Sequence, residues 1–485
     1  MSDINFLSEK YKFWKFFREI SEIPRGSGNC ERISGYIAEF AGTRDLRYRK
    51  DESGNVIIFK PASPDCKTDK KVMLQGHLDM VTVKTDDCKK DFLNEGLDLT
   101  VEEGYVKAKG TSLGADNGIG VAYILEVLDD ETLTHPGIEA VFTTDEETGM
   151  LGADALDTGD LESSFLLNID SEEEGVFTAG CAGNTFCLIN FKPECEKTKA
   201  NSYKISFNDL TGGHSGVEIG KHRGNAYRLL GRLISQMREV LKDISFVSID
   251  GGGKDNAIAV SCEAVVCTDA SEEDFKKAFV SESEKIKEAY ALSDPHMRIE
   301  YAATDPGNEP LCFTQKDNEK MMSLLTEIPD GVVRMFGENA ELVETSLNLG
   351  IVEADKDGVK MHICLRSNVE VQREYLKKLL EKQITRLGAQ VTFGPETQIW
   401  SFRKESVLRD TITDVYARVS GSKATVNVMH AGVECGFFTN KMPGLDAVSF
   451  GPEIRDIHTY HERLNIRSAE MYREIIIKTL ERLCT

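Results

Sequence analysis

The chain has 485 residues, 40 % of them hydrophobic and 29 % charged. These are ordinary proportions for a globular protein of roughly two to four domains. Its 58 Lys and Arg against 81 Asp and Glu leave a formal charge of −23, which repels phosphate backbones and acidic lipid and argues against nucleic-acid or membrane partners. No apolar run approaches the ~18 residues of a membrane span, and the opening MSDINFLSEKYKFWKFF is broken by charge throughout, unlike a secretory signal. The 12 cysteines include no CxxC pair. They read as reduced, mostly buried thiols of a cytoplasmic protein.

From residue 1 to about 185, short apolar runs alternate with helical stretches. Lys71–Gln75 (KVMLQ), Ala140–Thr144 (AVFTT) and Phe165–Asn168 (FLLN) read as buried strands, and Gly118–Asp130 (GIGVAYILEVLDD) as a helix packed on their sheet. Strand, helix, strand in that order implies crossover units and a mainly parallel sheet. From 186 to 395, strand-like segments (FCLINFK, SYKISFNDL, NAIAVSCEAVVC, KMHICLR) interleave with amphipathic helices at Glu272–Leu292 and Tyr375–Leu387. That pattern suits an α+β domain of antiparallel strands with helices on one face. A helix near Val407–Val419, the segments MHAGVECGFF and DAVSFGP, and a last helix from Ser468 then return to the first pattern. The simplest arrangement is one α/β domain made of residues 1–185 and 396–485, with 186–395 inserted.

The chemistry lies where the strands end. Gly76-His77-Leu78-Asp79 follows the first run, Asp145-Glu146-Glu147-Thr148-Gly149 the second and Ile169-Asp170 the third, while Gly114-Ala115-Asp116-Asn117-Gly118 precedes the helix. Ligands of open α/β sheets bind at the carboxyl ends of the strands, so four distant segments deliver one imidazole and several carboxylates to one edge. Singly, each is a solvated turn, a helix cap or a core histidine. Together their repulsion calls for a cation, and His with Asp and Glu but no Cys suits Zn²⁺ or Mn²⁺. His77 and Asp79 are two apart in an extended segment and point the same way, so Asp79 can orient His77 through its second ring nitrogen. Adjacent Glu146 and Glu147 supply one ligand and one proton acceptor, as a hydrolytic metal site requires.

Other signatures fail. GTSLG at 110–114 satisfies the GxSxG elbow of serine hydrolases, but the preceding YVKAK is a weak strand. HExxH is absent, since His461-Glu462 is followed three residues later by Asn465, and GGGK at 251–254 is followed by Asp rather than the Ser or Thr of a Walker loop.

The motifs GHLDMV at 76–81, GTSLGADNGIGVA at 110–122, TTDEETGMLGA at 143–153, NIDSEE at 168–173, TGGHSG at 211–216 and HAGVECG at 430–436 resemble, in order and over nearly the whole chain, the aminoacyl-histidine (Xaa-His or cytosolic non-specific) dipeptidases. These are metallopeptidases with co-catalytic zinc ions. The resemblance implies a zinc-peptidase-like catalytic domain with an inserted lid and dimerisation domain. It implies two divalent metal ions, Zn²⁺ foremost with Mn²⁺ or Co²⁺ compatible, and hydrolysis of small dipeptides by a metal-bridged hydroxide with Glu146 as general base. His77, Asp116, Glu147, Asp170 and His458 match metal ligands, Asp116 being the bridging one, and Asp79 matches the carboxylate that orients His77. His458 fits the family's His with Glu four residues on, here Glu462, while His461 remains a rival. His214 matches a histidine that polarises the scissile carbonyl, and Arg366 and Asn256 match residues that hold the substrate's terminal carboxylate or backbone. For Arg366 a surface ion pair is an equal reading. His430 and Glu434 lie in a motif typical of this branch and join the substrate-binding candidates, whereas Gly114 and Gly118 read as permitting a tight turn. A homodimer through the insert is one implication, and a monomer whose insert covers its own sheet edge is the other. A deacylase or carboxypeptidase of the same family is the alternative activity.

Overall fold

The run KVMLQ continues as a strand to His77 and is buried from Val72 onward, the condition of a strand covered on both faces. It is the third of eight strands in one sheet: β1 (Arg47–Lys50), β2 (Val56–Lys60), β3 (Lys71–His77), β4 (Gly137–Thr143), β5 (Ser163–Asn168), β6 (Val176–Cys181), β7 (Thr425–Met429) and β8 (Asp446–Ser449). Their order across the sheet is β1-β2-β4-β3-β5-β8-β6-β7. The central pairs β4/β3, β3/β5 and β5/β8 are parallel, and β1/β2, β2/β4 and β8/β6 are antiparallel. Helices α1 (Lys12–Ser21), α2 (Glu31–Gly42), α3 (Ala115–Asp129), α4 (Val407–Ser420) and α5 (Ile466–Leu483) contribute apolar side chains to the same core as the sheet.

This computed structural model describes residues 5–198, 200–304, 310–336 and 342–485. The chain divides into two units: Met1–Cys181 with Trp400–Val428 and Val433–Thr485, and Ala182–Ile399 with Met429–Gly432. In the first, a small second sheet runs Ile454–Arg455, Arg463–Asn465, Tyr105–Ala108, Leu99–Glu102. Its pairing Ile454↔Leu464 and Arg455↔Arg463 places His458 on the turn of a hairpin, and Arg463–Asn465 pairs in turn with Tyr105–Ala108. The segment that leads to Asp116 and the one that carries His458 therefore leave the same small sheet.

The second unit is built on a wholly antiparallel sheet in the order 298–303, 201–208, 262–268, 245–251, 343–355, 358–367, 183–191, 390–393, with 331–335 beside 343–355. The strand Gly183–Phe191 alternates buried and half-buried positions, the period of a strand with one face in a core. Helices Ala226–Leu241, Glu272–Ala289, Gln315–Thr326 and Glu370–Arg386 complete that core.

One expectation is corrected. Cys66 and Cys484, 418 residues apart, form a disulfide with Cα atoms 4.7 Å apart; the other cysteines are free and mostly buried. The Lys67 N–H donates to the Cys484 carbonyl at 3.0 Å, which draws the loop before β3 onto the end of α5. A contact this remote in sequence leaves no spacing signal.

Candidate active site

His77 ends β3 almost wholly buried. Its Nδ1 lies 3.1 Å from the Asp79 carbonyl and 3.4 Å from Asp79 Oδ1. Its Nε2 lies 3.1 Å from Asp116 Oδ1 and 3.3 Å from Asp170 Oδ1. Asp79 also accepts from Ser27 Oγ at 2.8 Å and from the N–H groups of Glu146 at 3.1 Å and Glu147 at 3.3 Å. One buried carboxylate thus joins the end of β3 to the turn after β4. Burial would raise the Asp79 carboxyl, but the bonds from His77, Ser27 and Glu146 hold it down at about 2.

On the other side, His458 Nε2 lies 3.2 Å from Asp116 Oδ2 and 3.1 Å from Glu147 Oε1. Those two carboxylates push its pKa up to about 10. Burial opposes the same effect at His77, but Asp170, Asp116 and Asp79 outweigh it and hold that imidazole well above its ordinary value. Burial also opposes ionisation of Asp116, yet the two histidines keep its carboxyl low. Glu146 is raised well above the ordinary carboxylate range by burial, with Asp170, Glu434 and Asp116 adding to it. His461 is exposed and rests its ring on Tyr460, 4.3 Å between centroids.

The donor atoms that could hold a metal ion fall into three overlapping groups, each within 4.8 Å: His77, Glu146 and Glu147; His77, Asp116 and Asp170; Asp116, Glu147 and His458. Asp116 turns one oxygen to each histidine. Among the described residues no lysine or arginine forms an ion pair with Asp116, Glu146, Glu147 or Asp170. An all-oxygen and nitrogen donor set without a fixed cation of its own fits divalent metal ions.

Three features have no local signal in the sequence. Glu462 accepts from the successive N–H groups of Leu113, Gly114, Ala115 and Asp116 at 2.7, 2.8, 2.8 and 3.4 Å. Arg25, 2 % exposed, donates to the carbonyls of Leu78 at 3.0 Å, Asp79 at 3.1 Å and Gly114. Glu172, in the NIDSEE motif, is pushed to about 8 by burial and by Asp116 and Asp170. The spacing of His458 and Glu462 was the sole hint of the first.

Glu434 is fully buried at the sheet, where its Oε2 accepts from Gln75 Nε2 at 2.5 Å and Thr143 Oγ1 at 2.8 Å. In the second unit, His430 has both ring nitrogens engaged, Nε2 with Ser346 Oγ at 2.7 Å and Nδ1 with Asn368 Oδ1 at 3.1 Å. Burial, Arg366 and His214 push it down to about 3. Both are buried, and Glu434 Oε1 is without a hydrogen-bond partner. His214 Nδ1 accepts from the N–H groups of Gly216 at 3.2 Å and Val217 at 3.3 Å, which leaves the ring proton on Nε2; burial and Arg366 lower its pKa. Asn256 lies on the same loop system, its carbonyl accepting from Ser215 N–H at 2.9 Å. Arg366 is buried rather than a surface residue, its Nε is without a partner, and no carboxylate pairs with it among the described residues.

A mixed sheet whose central parallel strands gather imidazole and carboxylate donors at their carboxyl ends is an architecture suited to a metal-dependent hydrolase. The chain belongs to peptidase family M20/M25/M40, whose description matches residues 73–482. It is therefore a peptide-bond hydrolase by family. It is 32 % identical over 485 residues, 100 % of this chain and 99 % of the relative, to the cytosol non-specific dipeptidase of Escherichia coli K12. The crystal structure of aminoacylhistidine dipeptidase from Vibrio alginolyticus superposes with a TM-score of 0.91 at 33 % identity, covering 99 % of this chain and 98 % of that one. Aminopeptidase PepT from Bacillus cereus, at 14 % identity and a TM-score of 0.55 over 98 % of each chain, shares the fold alone.

Proposed function

We propose that the chain hydrolyses dipeptides with two divalent cations, one held by His77, Asp116 and Asp170 and the other by Asp116, Glu147 and His458. The donors suit Zn²⁺ first, with Mn²⁺ or Co²⁺ compatible. The observation that carries this reading is the Asp116 carboxylate, which offers one oxygen to each ligand group. What ions bound there supply is Lewis acidity toward the scissile carbonyl and the attacking water.

Glu146 takes the proton of that water and passes it to the leaving amine. Asp79 holds His77 in place through its second nitrogen. His214, neutral and with its proton on Nε2, donates to the developing oxyanion. Arg366, assisted by Asn256, receives the terminal carboxylate of the substrate, because a buried guanidinium without a carboxylate of its own is prepared for one. The Ala182–Ile399 unit acts as a lid that limits substrate length on closing. The names of the full-length relatives support dipeptides, Xaa-His among them, as the substrates.

The test is reconstitution. Chelator-stripped protein should bind two equivalents of Zn²⁺, and hydrolysis of a dipeptide panel should vanish on stripping and return with the metal. Full activity without metal overturns the reading. Preference for N-acyl amino acids over dipeptides overturns the substrate and selects the deacylase or carboxypeptidase alternative.

A further inference from the structure

The segment that delivers Asp116 is held from both of its backbone faces. Four successive N–H groups, Leu113 to Asp116, point at the Glu462 carboxylate. The carbonyl of Gly114, in the middle of that run, is taken by Arg25 Nη2, while Arg25 Nη1 reaches the carbonyls of Leu78 and Asp79. One planar guanidinium therefore ties the end of β3, with His77, to the turn that carries Asp116.

Arg25 is not placed there for an ion pair. It is buried and forms none among the described residues; the carboxylates of Glu462, Asp79 and Asp116 offset only part of the cost of burying its charge. Burying a cation is costly unless its donors are satisfied; the three carbonyls take its two Nη groups, while its Nε has no partner. The glycines of the GADNG motif agree. A Cβ on Gly114 or on Gly118 would stand 2.6 Å from Arg25 Nη2, so both positions are emptied for the guanidinium. Gly114 also needs its φ of +63°. The expectation that these glycines serve a tight turn covers only the first of them.

We propose that Arg25 and Glu462 are positioning residues, a cross-brace that holds Leu113–Asp116 so that the Asp116 carboxylate stands between His77 and His458 in the geometry for shared metal coordination. This rests on the metal-site reading above. Removing a partner that orients a ligand costs about 10–100-fold in metal affinity, and lysine cannot reproduce the rigid fork of arginine.

The experiment compares wild type, Arg25→Lys, Glu462→Gln and the double variant for Zn²⁺ affinity by chelator competition and for the visible spectrum of the Co²⁺-loaded protein, with circular dichroism as the check on folding. Each single variant should bind metal about 10–100-fold more weakly and show an altered Co²⁺ spectrum. The double variant should lose less than the product of the two, since both residues act on one segment. Wild-type affinity and spectrum in a folded Glu462→Gln protein overturn the inference even if Arg25→Lys fails to fold, and so do independent, multiplicative losses. If wild type itself binds no metal, the failure belongs to the proposed function; if wild type binds and the variants bind equally, it belongs to the brace.

Discussion

Glu146 and Glu147 are adjacent and chemically identical, and under the proposed function what they touch divides their work. Glu147 presents an oxygen to His458 at 3.1 Å, as a ligand would. Glu146 forms no ion pair among the described residues, and its bond to Asp79 is made by its backbone N–H rather than by its carboxyl. A carboxylate left unengaged in a ligand cluster is the one available to accept a proton. Glu146→Gln should lower kcat by about 10²–10⁴-fold while elemental analysis finds the wild-type metal content; near-normal turnover removes Glu146 from the role. At this scale the sequence is legible for residues that end strands, because the sheet dictates where His77, Glu147 and Asp170 emerge. It is silent on Arg25, whose partners are backbone carbonyls and carry no residue type. It does not show the partners of His430, whose ring nitrogens meet Ser346 and Asn368.

Elements were readable where their hydrophobic period is local, and less so where a distant residue sets their ends. The regular part of α3 follows the apolar run from Gly118, but the element opens at Ala115 with Asp116 and Asn117 in non-helical conformations. Its early N–H groups are satisfied by Glu462, some 350 residues away in the chain. The same helix is locked to α5 by Glu126 and Arg473, whose Nε and Oε2 are 2.7 Å apart. Burial raises the Glu126 carboxyl and Arg473 opposes it. Arg473→Met leaves a buried, unpaired carboxylate, at a cost of about 3 kcal/mol, the low end for a broken buried pair because the Arg473 side chain is 23 % exposed. The thermal midpoint should fall at neutral pH. In the variant the folded-state pKa of Glu126 rises further above its ordinary 4.5, so the native state binds more protons than the unfolded one and stability is lost as pH rises. The deficit should therefore shrink as pH is lowered toward 5; a deficit independent of pH would mean that Glu126 is not its source.

Across the whole molecule, both ends of the chain enter one sheet, β1 to β6 from the first part and β7 and β8 from the last. That return was legible because helix–strand alternation resumes after the antiparallel middle. The crosslink of Cys66 to Cys484 was not legible, and it bears on the same topology by joining the loop before β3 to the residue after α5. A bond that closes so long a loop removes much of the unfolded chain's freedom, with typical gains of about 2–4 kcal/mol. In a reducing compartment the two thiols would stay apart chemically while the Lys67 N–H bond to the Cys484 carbonyl kept them close. Protein trapped by alkylation and digested without reductant should yield a Cys66–Cys484 linked peptide after oxidation, and the oxidised form should melt above both the reduced form and Cys66→Ser. Equal melting of all three would show that the end of α5 is already fixed by its packing, with Tyr472, Ile476 and Leu480 in the core, and that the covalent bond adds nothing to the closure of the sheet.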